Sequence, residues 1–251
     1  NERTTLKESD VCKIDYGVHI DGCIVDSAFT INFDGSYKEI LEASKTAVDA
    51  VIKNMRPEVR FRELGRISQE IVESYEITRN GNTKHLKVID NLCGHNILPW
   101  TIHGGKLLSG IEKQDDIQIV EENDIIAVEI FVSDGDGTTV LDSDTKNYSH
   151  YMLKPEKKDI QIPLYGVKRI DQLTTIIKNN FNTLPFCPRF INKFNNDKRN
   201  LEYFFALNRL FYDGYLNSYP PLIETDKDSK VAQFEHSVFV GGNQNIVLSE
   251  I

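Results

Sequence analysis

An α+β, or mixed α/β, fold is what this sequence predicts, and three observations carry that reading. A β-prone run over residues 12–29 is split by Asp21-Gly22, a two-residue hairpin signal. Two amphipathic helical stretches follow it directly. Apolar, strand-like runs then return at residues 125–132 and 231–240. The order hairpin, helix, helix, sheet is not the strict alternation of a parallel barrel.

The hairpin comes first. With Asp21 and Gly22 as its loop, Ile20 faces Cys23, Val18 faces Val25 and Tyr16 faces Ser27. That face is mostly apolar and is expected to join a core. The other face pairs His19 with Ile24, Gly17 with Asp26 and Asp15 with Ala28. Asp15 and Asp26 are then diagonal neighbours, about 7 Å apart at the backbone. Two carboxylates pointing the same way repel each other, so either this face is simply wet or cations lie between them.

Asp34-Gly35 predicts a turn, and Ser36 with Glu39 three residues on predicts a capping box. Ile40, Leu41, Ala47, Val48, Val51, Ile52 and Met55 then recur at helical spacing until Pro57. A second helix is predicted over residues 61–75, with Phe61, Leu64, Ile67, Ile71 and Tyr75 on its stripe. Asn80-Gly81 marks another tight turn. Residues 91–97 and 101–105 precede a turn-rich loop at 110–123. The run 125–132 reads as a fully buried strand with one carboxylate, Glu129. An isolated charge there is costly, so Glu129 needs a partner or a proton. Residues 133–147 form an acidic loop, expected to be mobile. From 154 to 218 the pattern turns helical, with one stripe of Ile170, Leu173, Ile177 and Phe181 and another of Leu201, Phe204, Phe205 and Leu210. Tyr219-Pro220-Pro221 ends it, and the strand at 231–240 carries a second embedded carboxylate, Glu235.

A chain of 251 residues is long enough to bury a full core. Its net charge of −9 argues against a nucleic-acid-coating role. No run reaches the length of a membrane span and no secretory signal is visible, so no membrane partner is expected. Cys12, Cys23, Cys93 and Cys187 lack metal-finger spacing and read as buried free thiols of a reducing, cytoplasmic compartment. Asn147-Tyr148-Ser149 matches a glycosylation acceptor, a pattern too common by chance to carry weight. HExxH, GxSxG, paired CxxC and phosphate-binding glycine loops are absent.

What stands out is a dispersed set: Asp15, Asp26, His95, Glu129 and Glu235. Each lies in or beside an apolar strand. Four carboxylates and an imidazole suit a pair of divalent cations, and such oxygen-rich ligation favours Mn, Fe, Co or Zn over a thiolate-only metal. Taken singly, His95 also reads as a hydrogen-bonded loop residue, and either glutamate as a residue at a sheet edge.

In this order and with these neighbours, the chain resembles the type 2 methionine aminopeptidases of the pita-bread metallopeptidase fold. The resemblance rests on Lys13-Ile14-Asp15-Tyr16-Gly17, Asp26-Ser27-Ala28-Phe29-Thr30, Gly94-His95, Ile102-His103-Gly104-Gly105-Lys106, Ser149-His150-Tyr151-Met152, Tyr219-Pro220-Pro221-Leu222 and Ala232-Gln233-Phe234-Glu235-His236. Residues 182–189 are similar to the helical insertion that separates type 2 from type 1. The resemblance implies a single catalytic pita-bread domain over 1–251 with that insertion at 154–218. It implies removal of the initiator methionine from nascent polypeptide N-termini by a water activated between two divalent ions. It assigns Asp15, Asp26, His95, Glu129 and Glu235 as metal ligands, with Asp26 bridging and Glu129 also the proton shuttle. His103 is then placed on the substrate, and Ile102, His150 and Tyr219 around the methionine. A monomer is expected, with ribosome contact left open.

The departures from the family pattern are local. A further histidine, in a His-Tyr-Thr-Pro stretch, is expected upstream of Asn1 together with the first part of the fold, so a longer protein is expected. Glu129-Ile130-Phe131 stands for Glu-Thr-Phe, and Asn96-Ile97-Leu98-Pro99 follows Gly94-His95 in place of Ser-Ile-Gly. The family pattern ends in an acidic tail with a terminal tyrosine, whereas this sequence stops at Ile251. An inactive paralogue of the proliferation-associated type, binding ribosome or RNA, is the alternative. It expects lost ligands, whereas all five positions are kept. A proline-directed peptidase of the same fold is a third reading, against which the insertion counts.

Overall fold

The computed structural model describes residues 5–79, 81–142, 148–160, 169–194 and 200–249. The chain forms two compact units, one of residues 1–140 with 223–251 and the other of residues 141–222. The first begins with the hairpin of β1 (Cys12–Ile20) and β2 (Cys23–Ile31), then α1 (Lys38–Asn54) and α2 (Phe61–Glu73). Short strands follow: β3 (Glu76–Arg79), β4 (Asn82–His85), β5 (Lys87–Val88), β6 (Cys93–Asn96) and β7 (Leu107–Ser109). The long β8 (Ile125–Ser133) and the short β9 (Thr139–Leu141) come next. The chain returns to this unit through β12 (Leu222–Glu224), β13 (Val231–Phe239) and β14 (Ile246–Val247), after β10 (His150–Leu153) and β11 (Leu216–Tyr219) of the other unit.

The main sheet runs β1-β2-β13-β8-β6-β7, with β14 on β13 and β5 on β8. Period-2 alternation divides its residues between two faces. Ile126, Val128, Ile130 and Val132 of β8, with Ala232 and Val238 of β13, meet Ile40, Ala47, Val51, Phe61 and Leu64 of the two helices in one buried cluster. Ala127 and Glu129 therefore point to the face away from the helices, as does Glu235, which pairs with Glu129 across the ladder.

The hairpin register is the expected one, with Gly17 opposite Asp26 and Asp15 opposite Ala28. Asp21 and Gly22 both take positive φ, 50° and 87°, as the tight hairpin turn demands. The apolar hairpin face is not core, however. Val18 and Ile20 are 62% and 81% exposed, because β1 is an edge strand and α1 makes its contacts under β8 and β13.

Other expectations need correction. The capping box does not form: Asp34 takes the Ser36 amide and Asn32 Oδ1 takes the Tyr37 amide, so α1 starts at Lys38 without a side-chain cap. In α2 the buried line is Phe61, Leu64, Gly65, Ser68 and Val72, with Ile71 only partly buried. Gly65 turns inward because the backbone of Ser109 and Ile111 comes closer there than a Cβ would allow. The loop expected at 133–147 contains β9, which pairs with β12, and residues 143–147 lie outside the described residues, as does Asn80. The cysteines are free, but only Cys187 is buried.

Beyond β8 the connections are fastened by one carboxylate. Glu224, 7% exposed, accepts from the hydroxyls of Ser133 (3.2 Å), Thr225 (3.1 Å) and Ser229 (2.5 Å) and from the Asp136 amide (3.1 Å). Burial raises its carboxyl, but the hydroxyls and amides outweigh burial and hold it below the usual range. Substitution by glutamine replaces an acceptor oxygen by a donor facing donors, and should cost about 1–3 kcal/mol in urea unfolding at pH 7. The depressed pKa makes this stabilisation present above the ordinary glutamate pKa and lost as pH falls through the lower folded value. The gap between wild type and Glu224→Gln should therefore narrow in acid.

The second unit joins β10 and β11 antiparallel, so that His150 stands opposite Tyr219. A 3-10 turn at Pro155–Lys157 precedes α3 (Ile170–Asn180), α4 (Pro188–Phe194) and α5 (Asn200–Tyr212). Ile170, Leu173 and Ile177 are buried as expected. On α5 the inward stripe is Tyr203, Ala206, Leu207 and Leu210, at i, i+3, i+4 and i+7, while Phe204 and Phe205 are exposed.

Candidate metal centre

Four strands bring carboxylates to the sheet face away from the helices. The ladders align Asp15 with Ala28, Ala28 with Glu235, and Glu235 with Glu129. The neighbouring row runs Gly17, Asp26, then Ser237, Ala127 and His95. Small residues (Ala28 in the first row; Gly17, Ser237 and Ala127 in the second) stand beside the ligand-type residues. Ligand atoms of Asp26, His95 and Glu235 all lie within 4.8 Å of one another. His95 Nε2 stands 3.8 Å from Glu129 Oε1. Gln233 Nε2 donates to both Asp15 Oδ2 and Glu129 Oε2, each at 3.1 Å.

The electrostatics follow from crowding. Burial, then the charge of Asp15, pushes Asp26 up to about 7. Burial, then Glu129, pushes Glu235 up to about 10. Glu129 is raised well above its ordinary value by burial and by Asp15 and Asp26. Burial and the neighbouring His103 bring His95 down to about 4, so its imidazole is neutral at pH 7. Mutually repelling carboxylates, from the exposed Asp15 to the buried Glu235, beside a neutral imidazole form a donor set that fits hard and borderline divalent cations.

Local sequence explains the placement of the histidines. Gly94 is required beside His95, because a Cβ there would stand 2.4 Å from the Ala127 carbonyl oxygen. Asn96, 5% exposed, holds the returning loop: its backbone oxygen accepts from Gly104 N (2.8 Å) and its side-chain oxygen from Lys106 N (2.8 Å). That closure brings His103 edge-on to His95, ring centroids 4.5 Å apart. Burial lowers His103 as well. Ile102 is buried beside it. His150 and Tyr219 belong to the other unit, where His150 Nδ1 meets Ser149 Oγ at 3.0 Å and the Tyr219 hydroxyl donates to Met152 Sδ at 3.4 Å.

Residues 1–171 match the sequence signature of metallopeptidase family M24. The chain belongs to that family. This M24 chain is 39% identical over 249 residues to Methionine aminopeptidase 2 of Komagataella phaffii, a match covering 99% of this chain and 54% of that protein. It is 41% identical over 248 residues to Methionine aminopeptidase 2 of Schizosaccharomyces pombe, covering 99% and 55%. The chain spans about half the length of the curated relatives it matches. Among solved structures, a thermophilic Arx1 superposes with a TM-score of 0.73 at 15% identity, over 97% of this chain and 68% of that one. A methionine aminopeptidase from Thermotoga maritima gives a TM-score of 0.58 at 18% identity, over 98% and 66%. At such identities these two structures speak for the fold, which is the pita-bread fold. No described helix is long and apolar enough to cross a membrane.

Residue reading missed two members of this M24 site. Gln233 carries no charge and so gave no signal, although it lies two residues before Glu235 on the same strand face. Ser237 bridges β2 and β13, accepting from Asp26 N at 2.8 Å and donating to Asp26 O at 2.9 Å.

Proposed function

We propose that this chain forms the dinuclear catalytic centre of an aminopeptidase that removes the initiator methionine from nascent polypeptides. The observation that carries the reading is the meeting of Asp26, His95 and Glu235 within 4.8 Å, with Glu129 and Asp15 linked to them through His95 and Gln233. The relatives' names, at about 40% identity, support it. In this reading Asp15, Asp26, His95, Glu129 and Glu235 would hold two divalent ions, of Mn, Co, Fe or Zn. When bound, the ions supply Lewis-acid polarisation of the substrate carbonyl and lower the pKa of the attacking water.

The chain's own groups do the rest. Glu129 takes the proton of the attacking water at its carboxylate and delivers it to the departing amine nitrogen. His103, kept neutral by burial, donates an N–H to the oxygen of the scissile carbonyl as charge develops there. Gln233 keeps the Asp15 and Glu129 carboxylates in register. Ile102 belongs to the methionine subsite, and the helical unit containing residues 154–218 is the type 2 insertion. The protein acts as a cytoplasmic monomer on emerging N-termini.

Metal analysis of purified protein, paired with a methionine-release assay on a Met-Ala-Ser peptide, tests this. Two ions per chain and release of free methionine are expected, both lost in Asp26→Ala. Metal-free protein that stays metal-free in excess Mn²⁺ would favour the inactive paralogue.

A further inference from the structure

Trp100, the one tryptophan of the chain, takes the left-handed backbone conformation, φ 58°. This costs a bulky side chain about 1–2 kcal/mol, so something must hold it there. Its amide donates to Gly22 O at 3.0 Å. Its ring lies so close over Gly22 that a Cβ would stand 2.4 Å from it. The His19 ring packs against it at 4.9 Å, tilted by 58°. His19 is on the same face of β1 as Asp15 and Gly17 by alternation, and Gly22 is the hairpin's own turn. The tip of the hairpin that bears both aspartates is therefore fastened to Trp100.

The other end of the connection runs to the histidines. Leu98 and Thr101 exchange both backbone hydrogen bonds at 2.9 Å, a tight turn with Trp100 inside it. Ile97 N donates to Ile125 O at 2.7 Å, at the start of β8. Two residues beyond the turn comes His103, against His95. The loop thus leaves β6, reaches the hairpin tip past the ends of the intervening strands, and returns to His95. It is a strap tying the hairpin side of the site to the histidine side.

We propose that Trp100 is a positioning residue that latches the aspartate hairpin to the strap carrying His103 and thereby sets the metal affinity of the cluster. This rests on the metal-centre reading above. Trp100 acts through the place it gives the ligand-type side chains.

The test uses Zn²⁺ as the probe, titrated by calorimetry into metal-free wild type, Trp100→Asn and Trp100→Phe. Asparagine tolerates the left-handed backbone, so it removes the ring without adding strain. Trp100→Asn should lose about 10-fold or more in Zn²⁺ affinity, and Trp100→Phe should recover most of it. The wild-type emission of Trp100 should shift with Zn²⁺ at the calorimetric midpoint, and fail to shift in Asp26→Ala. Wild-type affinity in Trp100→Asn would overturn the latch and leave the metal centre standing. Absence of Zn²⁺ binding to wild type would overturn the metal centre, and the latch with it. Should Trp100→Asn not fold, an emission spectrum unchanged through Zn²⁺ saturation of wild type overturns the latch by itself.

Discussion

Replacing Glu129 by glutamine is expected to lower kcat for methionine release by about 10²–10⁴-fold with little change in metal content. The amide keeps an oxygen that can accept from Gln233, whose Nε2 bridges to Asp15, but it cannot take and return a proton. The neutral side chain also removes one of the carboxylates that raise Glu235, so metal-free Glu129→Gln should melt higher than metal-free wild type. Turnover kinetics and differential scanning calorimetry check the two halves. An unchanged kcat would assign the proton transfer elsewhere, and a lower metal-free melting temperature would mean that the Glu129 charge is not a burden on the fold.

Metal-free and metal-loaded protein should diverge in stability as pH rises. Asp26 and Glu235 have folded pKa values of about 7 and about 10, and Glu129 is raised too, against ordinary values near 4. The folded state then binds more protons than the unfolded one, so these groups take stability away as pH rises from about 4 through the folded values. His95 has the opposite sign. Its folded pKa of about 4 costs stability as pH falls below its ordinary value, near 6.5. Above about pH 6.5 only the carboxylate slope remains, and metal-free protein should lose stability toward pH 9, on the order of a few kcal/mol. Divalent metal reverses the trend, because deprotonated ligands bind it best. At about 100 times its dissociation constant it adds roughly 2.7 kcal/mol. Melting temperatures in chelator and in Mn²⁺ should therefore lie close together near pH 5 and far apart at pH 8, with the difference abolished in Asp26→Ala. Parallel curves across that range would remove the coupled carboxylate centre.

Much of this site was legible in the sequence, for reasons of alternation. Asp21-Gly22 fixed the hairpin register, and the register placed Asp15 and Asp26 on one face. Glu129 and Glu235 interrupt apolar strands in phase with each other, which is why they meet. What was not legible depended on the third dimension. Ser36 and Glu39 have capping-box spacing, yet Asp34 takes the Ser36 amide that Glu39 would need, and Asn32 takes the next one, of Tyr37. Tyr203, Phe204, Phe205, Ala206 and Leu207 are apolar in every register, so periodicity could not say which of them α5 buries. Val18 and Ile20 look like core residues, and only the strand order shows β1 at an edge. Gln233 and Trp100 carry no charge, and their significance lies in what stands opposite.

The seam between β2 and β13 carries a consequence for how this centre comes apart. Only Glu235 with Ala28 and His236 with Ser27 pair there. Much of the rest is done by hydroxyls: Thr30 and Gln233 exchange hydrogen bonds at 2.8 Å, Ser27 Oγ reaches Glu235 O at 3.2 Å, and Ser237 holds Asp26. A hairpin attached through so few backbone bonds, with its outer face exposed, belongs to the low end of the range of local opening free energies. Two of the four carboxylates therefore sit on the piece that detaches first. If the proposed ions bind as argued above, metal capture and hairpin docking would be one equilibrium, because the ligands lie on both sides of the seam. In the dinuclear reading, chelator is therefore expected to speed amide exchange over residues 12–31 more than over the helix-backed strands β8 and β13.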